Sequence, residues 1–523
     1  MFDRWLRFPI HGYLQTLGAA IVAFGMPLNK VLMSIGTIWL AANILIKADF
    51  KSYKKAIQTN RIVQSLLLFL AIYLISLAWS ENMAYAMWDL RTKLPFFALP
   101  LSLILLPVAR AHYVYIFAVF FISLLITSGI NVFSYHQNPE AKFEDIRYLS
   151  RFGSHIRYGI IVVFAIALCI LYFFKTNEIW LKLMSIVGIA WFGYYTFISQ
   201  VLSAYVTLIV LLVVLLALFF YLQPSKLVRY IGWTLQITFI VLLFGWIYNF
   251  FKIDEKAFQV ALNELPTHSK SGEPYKHDLS YKMLENGNLV MVNIAERELR
   301  DSWNNRANIP YDSLDNKEQP IFGTILRYMT SLGLTKDHEG VAQLTSEDIA
   351  LIEQGITSAF YTENHWKNRL EGLKVQVYNY HNGFSPSGHS LLQRIEHWKT
   401  AIYIIQQNWL FGVGIGDVQD AFDQAYQEMN SPLEEAYWNR SHNQFLTIFI
   451  ATGIIGLFGF LLIWFFSIAS AFKHQNWWLL AFIVVVIASF LPEDTLETQQ
   501  GVTFVGFFLG FIPMINAEKK LKR

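Results

Sequence analysis

Twelve predominantly apolar runs, each 16 to 26 residues long, take up more than two fifths of the 523-residue chain: 12–27, 30–47, 62–79, 93–108, 112–133, 156–174, 180–198, 201–222, 230–250, 442–467, 476–491 and 497–515. Crossing roughly 30 Å of hydrocarbon takes about 17–25 residues of helix. In that solvent each backbone N–H and C=O must be bonded inside its own segment, so an apolar run without β-barrel alternation reads as a helix. The pattern predicts an all-α polytopic membrane protein with about twelve transmembrane helices; the fourth and eleventh runs sit at the short limit. Met1–Ile10 leads straight into the first run without a small-residue cleavage site, so no cleavable signal peptide is expected.

Charge divides the chain in two. Only 15% of residues are charged and 54% are hydrophobic, against about 25% charged in a soluble chain. Residues 251–440 carry 17 Lys/Arg and 26 Asp/Glu, whereas the remainder carries 24 and 12. Basic residues in short loops stay cytoplasmic. Arg4, Arg7, Lys47, Lys51, Lys54, Lys55, Arg61, Lys175, Lys182, Lys226, Arg229, Lys473 and the terminal Lys519–Arg523 all fall on one side if both termini are cytoplasmic. Glu81, Asp89, Glu140, Glu144, Asp145, Glu493, Asp494 and Glu497 then fall on the other. The expected organisation is a membrane domain over 1–250 (about nine spans), a hydrophilic loop domain over 251–441 on the far side, and a second membrane segment over 442–523 ending in a basic cytoplasmic tail.

The loop domain is too long and too patterned for a connector. Asn286-Gly287 ahead of Leu289-Val290-Met291-Val292 signals a type I′ hairpin. Thr345-Ser-Glu-Asp348 resembles a capping box opening a helix to about Tyr361, and Asp417 is placed to cap a helix to about Met429. Within Ser390–Trp409, Leu391, Ile395, Trp398, Ile402 and Ile405 recur at helical spacing, with Arg394 and Glu396 off that stripe. A mostly helical domain follows. The single Cys169 lies inside the sixth run as a small apolar filler. No zinc or redox motif and no basic-aromatic surface for nucleic acid is present.

Chemistry concentrates where the chain re-enters the membrane, at Asn439-Arg440-Ser-His442-Asn443-Gln444 followed by Gly453-Ile-Ile-Gly456. An interfacial histidine titrates near neutral pH and can accept a proton; Asn443 beside it can orient a sugar hydroxyl. The glycines permit close helix packing in lipid. A histidine that merely opens a helix gives the same local pattern.

His442-Asn443, nine residues and then Gly453-x-x-Gly456 resembles the signature of the O-antigen ligase family, which includes O-antigen polymerases and bacterial protein O-oligosaccharyltransferases. Ser80-Glu-Asn82 through Leu94-Pro95, Arg151-Phe-Gly-Ser-His155, and Arg394 with Trp398 ahead of Phe411-Gly-Val-Gly414-Ile-Gly416 are similar to other family segments, in the same order. Gln200–Tyr205 lacks an arginine usual in that family, and 251–390 is longer than in typical ligases.

The resemblance implies a bacterial inner-membrane enzyme with its large loop periplasmic. It would move a glycan from undecaprenyl diphosphate to lipid A-core, with another carrier-linked repeat or a protein hydroxyl as alternative acceptors. His442 would take the proton of the attacking hydroxyl, with Asn443 and Arg440 in support. Guanidinium groups bind phosphate oxygens in a fork, so Arg394, Arg151, Arg157, Arg91 and Lys93 are the candidate diphosphate ligands. The resemblance implies no cofactor and no obligatory metal.

Other readings stay open for several of these residues. Arg91 and Lys93 fit interface snorkels as well, and Arg147, Arg151 and Arg157 fit ion pairs with Glu144 and Asp145. His389 and His397 are placed to support Arg394; His155 and His381 read as structural or solvated. Gly412, Gly414 and Gly416 lack the βαβ context of a dinucleotide loop and read as a turn. A twelve-helix transporter or flippase is the rival class, but it would carry ionisable residues near mid-membrane, where these runs are nearly free of charge.

Overall fold

The computed structural model describes residues 10–137, 149–252, 265–359 and 366–517. Glu140, Glu144, Asp145, Arg147 and the terminal basic residues of the orientation argument lie outside them. Contacts divide the chain into two units, one within 1–236, 394–431 and 438–523, the other within 237–393 and 432–437.

In the first unit the helices are α1 (Ile10–Gly25), α2 (Lys30–Lys47), the short connector α3 (Phe50–Thr59), α4 (Arg61–Ile75), α5 (Met83–Leu105), α6 (Tyr113–Gln137), α7 (His155–Lys175), α8 (Ile179–Ser199), α9 (Leu202–Tyr221) and α10 (Lys226–Phe251, which continues past 236). Each of the first nine apolar runs holds one of these helices. Among the described residues, eight helices are long and apolar enough to cross a membrane by length and composition, Lys226–Phe251 and Gln444–Lys473 among them. Trp477–Phe490 and Gln499–Ile515 are shorter apolar helices. The protein is thus an all-α, multi-pass membrane protein.

Asparagine starts these helices repeatedly. The side chains of Asn29, Asn60, Asn82, Asn443 and Asn476 each accept a backbone N–H from the first turn of the helix that follows. The first N–H groups of a helix have no partner within it, and a short amide supplies one.

The core is built around α7, buried continuously from Tyr158 to Cys169. Cys169 is a buried free thiol there. The last helix, Gln499–Ala517, lies against α5, where a Cβ on Gly506 would come within 2.6 Å of the Pro95 carbonyl oxygen, and one on Gly510 within 2.6 Å of Pro100 Cα. Small residues there let two backbones close up where lipid gives no hydrophobic drive. By contrast, of all the residues of α10 only Gly232 is buried.

The second unit holds the hydrophilic segment. β1 (Leu284–Glu285) and β2 (Asn288–Leu289) form the expected hairpin, with Asn286 at φ 48° and Gly287 at φ 79°, both in the left-handed region that a type I′ turn demands. Around it come α11 (Glu296–Asn304), α12 (Ile321–Ser331), α13 (His338–Gln343), α14 (Ser346–Glu353) and α15 (Trp366–His381). Val290, Leu299, Trp303, Ile321, Ile325, Met329 and Ile352 form the core. Thr345 and Asp348 make the capping box reciprocally. α14 stops at Glu353 rather than near Tyr361, because Gly355 at φ 75° turns the chain out of the helix.

Candidate functional site

The remaining helices are α16 (Ser390–Asn408), α17 (Val418–Glu428), α18 (Gln444–Lys473), α19 (Trp477–Phe490) and α20 (Gln499–Ala517). From Arg394 onward, except for 432–437, this part of the chain belongs to the first unit. Its centre is the turn 491–498 between α19 and α20, which carries Glu493, Asp494 and Glu497. All three carboxylates are buried, at 0%, 4% and 7% exposure. In the sequence they mark only an acidic loop opposite the basic ones. A charged carboxylate removed from water needs cations or donors around it, and these three gather them from five helices and the loop that carries Arg440.

Glu493 faces Arg394 of α16, whose Nη2 lies 2.5 Å from Glu493 Oε1. It also faces Arg157 of α7, with Nη1 3.6 Å from Oε2, and accepts a hydrogen bond from Ser203 Oγ of α9 at 3.0 Å. Main-chain carbonyls of the same turn hold the two guanidinium groups from the side: Arg394 Nε donates to Pro492 O at 3.0 Å and Arg157 Nη2 to Asp494 O at 2.8 Å. Glu497 does the corresponding work for two further cations. Lys93 Nζ of α5 reaches it at 2.8 Å and Arg440 Nη1 at 3.0 Å, and Gln444 Nε2 donates to it at 3.2 Å. Burial alone would raise the Glu497 carboxyl, but Lys93 and Arg440 outweigh that and hold it down at about 2. Lys93 also bonds Asp89, which in turn accepts from the Tyr73 hydroxyl. Lys93 is 4% exposed, so a buried ion-pair partner rather than an interface snorkel describes it.

His442 sits immediately before α18 in the left-handed region, at φ 48°. Few non-glycine residues hold that conformation without support, and the bonds on both sides supply it. Ser441 Oγ donates to Asn443 O at 2.9 Å and receives Asn443 N–H at 3.1 Å. Asn443 Oδ1 accepts from Phe445 N and Leu446 N, and its Nδ2 donates to Leu491 O at 3.0 Å. Asn443 therefore caps α18 and ties it to the carboxylate turn. Thr447, one turn further on, donates to Asp494 Oδ1 at 2.8 Å.

The His442 imidazole lies beside that of His397 on α16, with centroids 5.3 Å apart. His397 in turn packs against Tyr426, which stacks on Trp438. Burial pushes the His442 pKa below its ordinary value, opposed by the charges of Asp494 and Glu493. Burial and the neighbouring Glu497 raise the Asp494 carboxyl.

A glycine turn fixes this arrangement. α18 breaks at Gly453, where φ is 64° and ψ −168°. The segment 409–414 enters the break: Ile454 N–H donates to Trp409 O at 2.8 Å, Val413 N–H to Ile450 O at 2.8 Å and Gly414 N–H to Ala451 O at 3.1 Å. A Cβ on Gly453 would lie 2.1 Å from Leu410 O. Gly453 thus makes room for a turn rather than for a neighbouring span. On the other side of that turn, Gly416 N–H donates to Ser80 Oγ at 3.1 Å, and the Asp417 carboxylate accepts from Glu81 N and Asn82 N at 2.9 and 2.7 Å. Asp417 precedes α17 as expected, but its side chain locks this junction and makes no cap to α17.

The face of α16 also differs from its hydrophobic stripe. Glu396, His397, Thr400, Ala401 and Ile404 are buried, while Ile402 of the stripe is 50% exposed. The buried face is thus part polar, and it carries His397 against His442.

Of the residues singled out from sequence, the structure assembles His442, Asn443, Arg440, Arg394, Arg157 and Lys93 around the turn 491–498. Arg91 and Arg151 are exposed. His155 Nε2 bonds Ser199 O at 2.9 Å, and His381 is exposed. His389 lies in the second unit, where burial and the charge of Arg327 press it down to about 4.

A histidine fixed just ahead of a long apolar helix, with arginines held on a carboxylate turn beside it, makes a polar site at one end of the first unit's helices. Residues 357–461 match the family model for O-antigen ligase, a stretch that includes Arg394, the glycine turn, His442 and Gly453. Over that segment the chain is similar to the O-antigen ligase family, and the match supports a membrane enzyme of the ligase and polymerase type. No curated protein matches the chain.

Proposed function

We propose that the protein transfers a glycan from undecaprenyl diphosphate to a hydroxyl of lipid A-core, on the periplasmic face of the bacterial inner membrane. The observation that carries the reading is His442, half-buried in a left-handed turn and set within the same polar cluster as Arg394 and Arg157. A neutral imidazole is the protonation state a base needs. His442 takes the proton of the acceptor hydroxyl as its oxygen bonds C1 of the donor sugar. The bond from C1 to the diphosphate oxygen breaks, and undecaprenyl diphosphate leaves with the bonding pair. Arg394 and Arg157 meet the charge that develops on that leaving group, in a place shielded from water where such contacts count most. Asn443 holds the histidine turn, and Arg440 and Lys93 extend the cationic wall.

Among the three acceptors, the site by itself serves all equally, since each shares donor, leaving group and base. The order of motifs supports lipid A-core. Deleting the gene and resolving surface glycans by electrophoresis tests it. Loss of the whole polymer ladder with intact core, and polymer still on the carrier, is the expected result. A core bearing a single repeat indicates a polymerase, and unchanged lipopolysaccharide with under-glycosylated proteins indicates a protein acceptor; either overturns the choice of lipid A-core.

A further inference from the structure

Glu493 is 0% exposed, whereas the two guanidinium side chains it holds retain 15% and 13% exposure. A bound substrate therefore reaches the arginines without reaching the carboxylate behind them. Three helices that are remote in sequence, α7, α9 and α16, each send one side chain to this carboxylate. The flanking carbonyls of Pro492 and Asp494 fix one further nitrogen of each arginine. The turn thus offers its acceptors to two forks that come from different helices, and Ser203 holds the carboxylate itself.

We infer that Glu493 is a positioning residue that sets Arg394 and Arg157 side by side as a preformed receptor for a diphosphate. This rests on the diphosphate donor proposed above. A long arginine loses considerable rotamer freedom when it is fixed, and a receptor that is already fixed binds better by that amount. A plain counter-ion makes the opposite prediction: a carboxylate that only neutralises two buried cations competes with phosphate, and its removal tightens binding. The sign of the effect separates the two.

Affinity for undecaprenyl diphosphate, measured on the full-length purified protein in detergent, is the readout, with thermal unfolding recorded alongside. Glu493→Gln keeps the shape and an acceptor oxygen but removes the charge. It is expected to weaken binding by about tenfold, the order of one charge-assisted hydrogen-bond network lost, although the site becomes more positive. Glu493→Asp restores the charge one methylene short and is expected to recover part of that loss. Ser203→Ala leaves all charges in place and frees only the carboxylate; it is expected to weaken binding by about threefold, and it keeps the test open if Glu493→Gln does not fold. Unchanged or tighter binding in folded Glu493→Gln, or in Ser203→Ala where the former does not fold, overturns the positioning role while leaving the donor intact. A wild-type protein that does not bind undecaprenyl diphosphate removes the donor reading and this inference with it.

Discussion

At the scale of single residues, His442 carries the sharpest expectation. His442→Ala should lower glycan transfer by about 10²–10⁴-fold, the usual cost of losing a general base, with the unfolding temperature near that of the wild type. Near-wild-type activity would reduce His442 to a residue that starts a helix. The pH profile adds a sign. Burial lowers the His442 pKa, so the imidazole remains mostly neutral at pH 6.5, where a free histidine is half protonated. The acid limb of kcat/KM should therefore lie below 6.5. Asp494 opposes the effect of burial, so Asp494→Asn should move that limb lower still. A limb that moved upward would place Asp494 outside the field of His442. The histidine was legible in the sequence because a motif at fixed spacing surrounds it. Glu493, Asp494 and Glu497 were not, because an acidic residue in a short loop has the same sequence signature whether it faces solvent or binds two arginines. The partners of Glu493 lie 99, 290 and 336 positions away (Arg394, Ser203 and Arg157), and no local pattern reports such pairings.

At the scale of elements, each of the twelve apolar runs holds a helix, eight of these among the described residues being long and apolar enough to cross a membrane, since a segment's cost of leaving water is a sum over its own residues. It did not reveal that α18 is interrupted. A break depends on the one residue whose backbone must lie at φ 64°, and Gly453 adds nothing to a hydropathy sum. Gly453→Ala should destabilise the protein by more than about 1 kcal/mol, since the new residue must both hold a positive φ and meet a backbone oxygen. Gly193→Ala in α8 is the matched control: nothing lies within 4 Å of its Cβ position, and alanine is the better helix former. Thermal unfolding in detergent should fall for the first variant and hold or rise for the second. Equal effects would mean that the turn 409–414 does not depend on the break. The same limit explains α16: helical spacing marks the apolar stripe from Leu391 to Ile405, but the buried face is the one with Glu396 and His397. Periodicity finds where apolar residues recur, and a helix that lines a polar site turns that stripe elsewhere.

At the scale of the whole molecule, side-chain contacts sort the loops of the first unit into two ends without reference to charge. Ser80–Asn82 meets Gly416 and Asp417; Arg157 at the start of α7 meets Asp494; and Arg440 before α18 meets Glu497 after α19. These junctions therefore share an end with the site. Lys175 at the close of α7 lies over the Trp478 ring at the start of α19, at 5.4 Å, which puts the loops after α7 and after α18 together at the other end. This second end is the one with Lys175, Lys182 and Lys473, the side the basic residues mark as cytoplasmic. The two arguments are independent, since one counts charges and the other follows contacts, and both assign the same parity to these loops. Only the charge rule gives the direction. Reporter fusions supply the measurement: a fusion within Lys175–Lys182 should report cytoplasmic, and fusions after Lys367 and within 492–498 should report periplasmic. If the 492–498 fusion reported cytoplasmic, the carboxylate turn and His442 would face the compartment opposite to the proposed acceptor, and the transfer to lipid A-core would fail together with the orientation.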